Sequence, residues 1–189
     1  RKELKSLPIQ EFDIRISRVK KAGLDVCDFD VLLNAEFENH DHDMAYLHQG
    51  KKHSHGHTAH ETHRHSHRGM KEVMEILEKT DMTRRAYEIA VKIFTILGEA
   101  EAKAHGTTLE EVHFHEVGAI DSIVDIVAAA VCLDNLDISE VIIPFLYEGG
   151  GTIRCQHGIL PVPVPAVANI AAAHHLKLHL TGEQGEYVT

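Results

Sequence analysis

A histidine-rich stretch between Asn39 and Arg68 constrains the fold of this chain more than any other feature of its sequence. Ten of the seventeen histidines lie in it, interleaved with small, polar and charged residues and almost no large apolar side chain. Such a stretch cannot bury enough surface to offset the entropy lost on ordering. We therefore predict a disordered loop over residues 39–68, inserted in a single domain that spans residues 1–189.

The histidines of this loop are candidate metal ligands, because imidazole binds nickel, copper, zinc and cobalt. A flexible run of them predicts a weak, multi-ion binder that captures or stores divalent metal, rather than a fixed catalytic centre. The alternatives are a solvated insertion with incidental metal affinity, or a purification tag, which the internal and irregular positions disfavour. The predicted ligands are His53, His55, His57, His63, His65 and His67.

Candidate chemistry is concentrated in residues 112–126, which read VHFHEVGAIDSIVDI. On an extended segment His113 and His115 point to one face, while Phe114 points to the other. Two imidazoles on one face form a ready site for a transition metal or a phosphate oxygen. The alternative is that both histidines are structural and hold the corner between a strand and a helix.

The chain is predicted to turn near Gly118 and to enter a helix. Ser122 is predicted as the N-cap of this helix, with Asp125 reaching back to complete a capping box. Capping does not explain Asp121. This carboxylate can join the two histidines at the helix N-terminus, where the free amides and the helix dipole also favour anions.

Hydrophobic periodicity predicts an α+β fold, in which an N-terminal β-hairpin precedes a helical layer and a mixed sheet. Predicted strands cover residues 11–21, 26–37, 141–146, 153–157 and 176–180, and predicted helices cover residues 70–79, 84 up to a stop at Gly106, 122–136 and 165–173. The helix over 122–136 is apolar nearly all round, which predicts burial on most sides and an inert packing role for Cys132.

Three consecutive glycines are predicted to open a loop after the strand over residues 141–146. The residues concerned are Gly149, Gly150 and Gly151, followed by Thr152. Glycine amides can approach a ligand closely, and a phosphate is the usual reason for such a run. A plain strand connection accounts for the glycines equally well.

Composition excludes several classes of protein. The formal charge of -10 and the lack of a Lys/Arg cluster argue against nucleic acid as a main partner. The longest apolar run, residues 126–133, is far shorter than the roughly 18 to 20 residues that a membrane span needs. The cysteines form no C-x-x-C pair, which indicates a reducing cytosol.

Cys155 and His157 share a face on a strand and can offer one soft and one borderline metal ligand.

The sequences at 112–126, at 149–152 (GGGT) and at 157–166 (HGILPVPVPA), together with the histidine-rich insertion, resemble one known family. The chain resembles the nickel insertion proteins of the lactate racemase cofactor pathway, the nickel-pincer nucleotide cyclometallases. Three motifs in the same order spread the resemblance over most of the chain. That family carries further sequence before the first residue here and a C-terminal part associated with nucleotide use, so we expect the chain to be a fragment of a longer protein.

The resemblance implies a cytoplasmic enzyme that inserts nickel into pyridinium-3,5-bisthiocarboxylic acid mononucleotide, making one Ni–C and two Ni–S bonds. It implies nickel as the substrate ion, CTP with manganese or magnesium, and apo lactate racemase or another nickel-pincer enzyme as a recipient; a homo-oligomer is compatible with it.

Within that activity we hypothesise a role for each group of candidate residues. His113, His115 and Asp121 hold or orient the metal, and Glu116 or Asp125 accepts the ring proton, which makes His115, Glu116, Asp121 and Asp125 the predicted catalytic set. The predicted phosphate-binding residues are Gly149, Gly150, Gly151 and Thr152. Two other functions stay open, a non-catalytic nickel or zinc storage or delivery module and a zinc-dependent hydrolase using the His113 pair.

Overall fold

The computed structural model describes residues 1–33, 68–114, 118–155 and 157–188. The predicted loop over 39–68, with its six candidate ligands, lies outside the described residues except for Arg68, which belongs to a strand instead; His115 and Glu116 also lie outside the described residues. In chain order the elements are α1 (Lys2–Lys5), β1 (Phe12–Lys21), β2 (Leu24–Leu33), β3 (Arg68–Gly69), α2 (Met70–Lys79), α3 (Arg84–His105), β4 (His113–Phe114), α4 (Ile120–Asn135), β5 (Leu146–Gly150), β6 (Thr152–Cys155), β7 (Gly158–Pro161), α5 (Pro165–Ala173) and β8 (Leu178–Gln184).

The chain groups into two compact units. The first comprises Arg1–Glu38, His65–Thr95 and His113–Ser139, and the second comprises Asn39–Arg64, Ile96–Val112 and Glu140–Thr189. The α+β class is confirmed, whereas the single domain over 1–189 stays a prediction. The described strands pair two by two, as β1–β2, β3–β4, β5–β8 and β6–β7, where a mixed sheet was predicted.

The N-terminal hairpin of the first unit is confirmed. Strands β1 and β2 pair antiparallel from Phe12 opposite Leu33 to Lys21 opposite Leu24. The two turn residues, Ala22 and Gly23, both have positive φ (50° and 81°), as a two-residue turn that matches the twist of the strands requires. Cross-strand ion pairs line the exposed face, and exposed pairs of this kind contribute little each, about 0–1 kcal/mol.

Helices α2, α4 and the first half of α3 supply the core of the first unit. The core side chains that are fully inaccessible to solvent are Val73, Leu77, Ala90, Phe94, Ile123, Val124, Val127 and Ala130. The predicted helical spacing of α2 and α3 is confirmed, and α3 stops where Gly106 adopts φ 67° and Thr107 N–H donates to Ala102 O at 2.9 Å. That bond is the usual termination by a left-handed glycine.

Helix α4 differs from its prediction at both its start and its exposed face. Its N-cap is Ala119, with no capping side chain, so the capping box of Ser122 and Asp125 is wrong. Ile120 is buried, and burying this side chain draws the N-cap three residues earlier than the cap signal at Ser122 indicates. The predicted packing role of Cys132 is also wrong, because Asp125, Ala129 and Cys132 lie on an exposed stripe with the i, i+4, i+7 spacing. The other positions from Ile120 to Asp134 are buried or half-buried, as the predicted burial on most sides requires.

The second unit departs from prediction around its glycines. Residues 141–145 are exposed and form no strand, because no element among the described residues covers Ile142 and its apolar neighbours; β5 begins only at Leu146. Gly149 and Gly150 belong to β5, which pairs parallel with β8, so the predicted loop shrinks to Gly151 with φ 82°. Strand β8 extends past the predicted end at Leu180, because it continues through a bulge to Gln184.

The remaining elements of the second unit follow their sequence signals. Strands β6 and β7 form an antiparallel hairpin, with Thr152 opposite Pro161 and Cys155 opposite Gly158. Pro165 begins α5 and Ala173 ends it, as predicted for a proline in the first helical turn. Asn169 Nδ2 donates to Ala100 O at 3.0 Å and ties α5 to the end of α3. No helix in the described ranges has the length and hydropathy that crossing a bilayer would demand.

Candidate functional site

The strand-to-helix corner of the first unit presents His113 to solvent. Strand β4 pairs with β3, so that Gly69 lies opposite His113 and Arg68 lies opposite Phe114. Phe114 is buried and its ring lies 6.3 Å from that of Phe94, while His113 on the opposite face is exposed. The predicted alternation across β4 is therefore confirmed for the two described residues, and it leaves the His113 imidazole accessible to a ligand.

A glycine is required at the turn of this corner. A Cβ added at Gly118 would lie 2.9 Å from Phe114 Cβ and 3.0 Å from Phe114 O, closer than real side chains come. Arg68 Nη1 donates to Gly118 O at 2.9 Å and fixes the other side of the turn. The close approach places the start of α4 directly after the strand that carries His113.

Two carboxylates lie one turn apart at the start of α4. Asp121 Oδ1 accepts a hydrogen bond from Ser122 N–H at 2.9 Å, within the first turn, where the helix dipole favours an anion. Burial raises the pKa of Asp125, and the neighbouring charge of Asp121 raises that pKa further. A carboxylate of raised pKa is a better proton acceptor than an ordinary surface carboxylate, while its remaining exposure keeps it within reach of a substrate.

The structure brings only part of the predicted metal set into view. His113 and Asp121 are described, and in the described part of the chain no three His, Cys, Asp or Glu side chains converge to enclose an ion. The predicted phosphate residues belong to the second unit, and the corner belongs to the first. Each is therefore considered by itself.

The glycines at the end of β5 have structural duties of their own. A Cβ on Gly149 would lie 1.8 Å from Gly185 O, so only glycine fits between β5 and the end of β8. The Gly149 amide donates to Glu148 Oε1 at 2.7 Å, and Gly150 O accepts from Gly185 N–H at 3.1 Å. Strand packing thus accounts for Gly149, and the exposed Thr152 and the turn at Gly151 are the parts of the run that still face solvent.

A buried carboxylate beside these glycines escaped the sequence analysis. Glu148 is 0% exposed, and its Oε1 accepts hydrogen bonds from the amides of Gly149 at 2.7 Å and Tyr187 at 2.8 Å. Its Oε2 is buried and has no hydrogen-bond partner among the described residues. The sequence signal that could have identified Glu148 is strand alternation, because it turns Tyr147 outward and Glu148 inward.

Histidine and cysteine side chains also meet where α3 ends beside the β6–β7 hairpin. Cys155 Sγ lies 3.9 Å from His157 Nδ1, and the His157 ring lies 4.9 Å from the His105 ring. His105 Nε2 in turn lies 3.4 Å from Glu101 Oε2, one helical turn earlier. The sequence analysis paired Cys155 with His157, but His105 is far away in sequence and no local pattern identifies it.

The comparisons with known proteins agree over the full chain. Residues 1–189 match the family described as "Nickel insertion protein". A protein of Alkaliphilus metalliredigens named pyridinium-3,5-bisthiocarboxylic acid mononucleotide nickel insertion protein is 52% identical over 189 residues, which are 100% of this chain and 42% of that protein. Proteins of the same name from Geobacillus kaustophilus (35% identical over 97% of this chain and 41% of the relative) and Clostridium acetobutylicum (40% identical over 85% and 39%) also match.

The chain spans about two fifths of the length of these curated relatives. No solved structure matches it.

Proposed function

Because the chain belongs to the nickel insertion protein family, we propose that the protein carrying it inserts nickel into pyridinium-3,5-bisthiocarboxylic acid mononucleotide to form the nickel-pincer nucleotide cofactor. The observation that carries this proposal is the family match over all 189 residues, together with 52% identity to a relative named for that substrate. In this proposal nickel is the substrate ion, and CTP with manganese or magnesium is consumed by the whole protein.

The chemistry requires an open metal and a base. Forming the Ni–C bond replaces a ring C–H bond, so the ring carbon keeps the electron pair, Ni²⁺ accepts it, and the proton must leave to a base; no net oxidation or reduction occurs. We assign the proton to Asp125, whose raised pKa and accessibility favour it, with Glu116 as the alternative acceptor. The two thiocarboxylate sulfurs supply the other bonds to nickel.

The remaining predicted residues position metal and substrate in this proposal. His113, His115 and Asp121 hold or orient nickel at the corner, and the histidines of residues 39–68 capture the ion beforehand. In the second unit, Gly151 and Thr152 face solvent and offer a backbone amide and a hydroxyl to a phosphate group. Gly149 has no role in phosphate binding in this proposal, because its amide already donates to Glu148. It contributes by letting β5 and the end of β8 approach each other.

The cellular setting follows from the same chemistry. A reducing cytoplasm keeps the thiocarboxylates and the cysteines reduced, and the product is passed to apo lactate racemase or another nickel-pincer enzyme. A homo-oligomer is compatible with this proposal.

The test is cofactor formation by the protein carrying this chain. Supplied with nickel, CTP and the sulfur-bearing mononucleotide, it is expected to restore activity to apo lactate racemase. Asp125→Asn is expected to lower the rate at least tenfold, in the range of about 10²–10⁴-fold typical for loss of a general base. The matched control is Glu110→Gln, an exposed carboxylate to which we assign no role.

Two outcomes would contradict the proposal. Hydrolysis of simple phosphate or amide esters with zinc, without any response to nickel, would indicate a hydrolase. Loss of all nickel-dependent function on deletion of residues 40–67, even at saturating nickel, would indicate a storage module, because an enzyme should lose only metal capture.

A further inference from the structure

We propose that Cys155 and His157 form a nickel-binding pair in the second unit, oriented by His105 and Glu101. The pair lies at the β6–β7 hairpin and includes none of the histidines assigned above to the corner or to the 39–68 stretch. The identification of nickel as its ion rests on the proposed function, whereas binding of a thiolate and an imidazole to one metal is tested independently below.

The geometry suits two ligands on one ion. A first-row metal binds sulfur at about 2.3 Å and imidazole nitrogen at about 2.0–2.1 Å. At those bond lengths the observed 3.9 Å between Cys155 Sγ and His157 Nδ1 corresponds to an angle of about 127° at the metal. Closing the two atoms by about 0.4 Å gives a tetrahedral angle, which a small side-chain rotation achieves because His157 is exposed.

His105 and Glu101 limit the orientation of His157. The two imidazole rings contact each other at 4.9 Å with an interplanar angle of 47°, so rotation of His157 is restricted on that side. His105 is itself held by the Glu101 carboxylate at 3.4 Å across one turn of α3. At metal sites a carboxylate usually holds the ligating histidine itself, whereas here Glu101 holds His105, whose ring packs against the ligand His157. His105 is therefore a positioning residue.

The pair leaves the ion accessible. The described side chains near it supply two ligands rather than a closed set of three, in keeping with the absence of any such set among residues 1–33, 68–114, 118–155 and 157–188. Metals that exchange ligands retain open positions, whereas closed four-ligand sites are structural. Nickel that must later be released to other ligands needs this kind of incomplete holder.

Nickel bound at this pair can be recognised by its absorption spectrum, because one of the two ligands is a thiolate. Nickel bound to cysteine sulfur shows near-ultraviolet charge-transfer absorption that nickel bound to imidazole lacks. The chain has three cysteines, and none lies in the histidine-rich stretch. Ni²⁺ alone, titrated into the protein carrying this chain, is therefore expected to produce this absorption at the Cys155 site even while the other histidines bind nickel silently.

Four variants test the assignment. Cys155→Ser is expected to abolish the absorption and His157→Gln to weaken nickel binding at this site more than a hundredfold. His105→Gln is expected to weaken it about 10–100-fold while preserving the absorption, as expected for a residue that acts through a ligand. Cys132→Ser, at an exposed cysteine in the first unit, is the matched control and should change nothing.

A second measurement guards against misfolding of a variant. In the unsubstituted protein, Ni²⁺ is expected to protect Cys155 from alkylation by iodoacetamide, with no protection at the exposed Cys27 and Cys132, as read by mass spectrometry of each cysteine peptide. No nickel-dependent absorption, absorption that survives Cys155→Ser, or equal protection of all three thiols would overturn the pair. Restoration of apo racemase by Cys155→Ser at the normal rate would overturn its role in nickel transfer and leave the proposed function intact.

Discussion

The buried carboxylate of Glu148 holds the segment that follows β8, and its removal should be costly. Oε1 accepts two short hydrogen bonds, from Gly149 at 2.7 Å and from Tyr187 at 2.8 Å, while the contact with Val188 N at 3.5 Å is too long to count. Hydrogen bonds to a charged acceptor contribute about 1.5–3 kcal/mol each. Glu148→Ala should therefore lower the free energy of unfolding of the second unit by about 3–6 kcal/mol.

Glu148→Gln separates the hydrogen bonds from the charge. The amide oxygen can accept the same two N–H groups, and a neutral group removes the cost of a buried Oε2 that has no partner among the described residues. We expect this variant to lose about 1 kcal/mol or less. Glu183→Ala, at an exposed carboxylate of β8, is the control and should change stability by less than about 0.5 kcal/mol.

The assay combines chemical denaturation with amide hydrogen exchange, because the two compact units need not unfold together. Glu148→Ala should lower the denaturation midpoint and remove exchange protection at the Gly149 and Tyr187 amides, and Glu148→Gln should retain it. Equal losses in the two variants would show that charge, not hydrogen bonding, holds the segment. A loss below about 1 kcal/mol in Glu148→Ala would refute the assignment of these bonds altogether.

Two further predictions concern the glycine run and the base. Gly149→Ala should destabilise the protein by about 3 kcal/mol or more, because its Cβ would lie 1.8 Å from Gly185 O, whereas Gly182→Ala, with nothing within 4 Å, should be tolerated; denaturation midpoints decide between them. Burial and the charge of Asp121 raise the pKa of Asp125, so ionisation of this carboxyl destabilises the folded state. This destabilisation is absent below the unfolded-state pKa of about 3.9, grows as pH rises from there, and is complete above the folded-state pKa. Asp125→Asn should therefore be slightly more stable than the parent at neutral pH, by less than about 1 kcal/mol because Asp125 is partly exposed, with no advantage near pH 3; a gain that grows on acidification would contradict the assigned shift.

Local signals in the sequence predict much of the fold. Helices α2, α3 and α5 have strong periodicity and explicit boundaries, such as the stop at Gly106 and the start at Pro165, and the structure follows them. The hairpin of β1 and β2 is equally local, since a two-residue turn determines its register. In each case the information lies within a few residues of the element that it specifies.

The errors arise where distant contacts outweigh local ones. Ser122 has a good capping side chain, but the buried Ile120 extends the helix past it. The apolar segment around Ile142 has the composition of a buried strand and nevertheless lies exposed. The prediction failed here because composition does not reveal whether another element covers the segment. At the candidate site, Asp121 and Asp125 are identified by their position within a few residues of the His113 segment, whereas the contact of His105 with His157 joins two elements that only the folded chain brings together.

Metal holding and bond making are assigned to different groups, and their variants should therefore fail differently. In the proposed function Asp125 accepts a proton and is not a nickel ligand, so Asp125→Asn should bind nickel normally and form the Ni–C bond slowly. In the proposed pair Cys155 and His157 bind the ion and accept no proton, so their variants should form product slowly but recover as nickel concentration rises. If excess nickel rescues Asp125→Asn as well, the carboxylate is a metal ligand and not the base. If it rescues neither, the thiolate pair has a role beyond delivering the ion, because a defect of supply alone disappears at saturation.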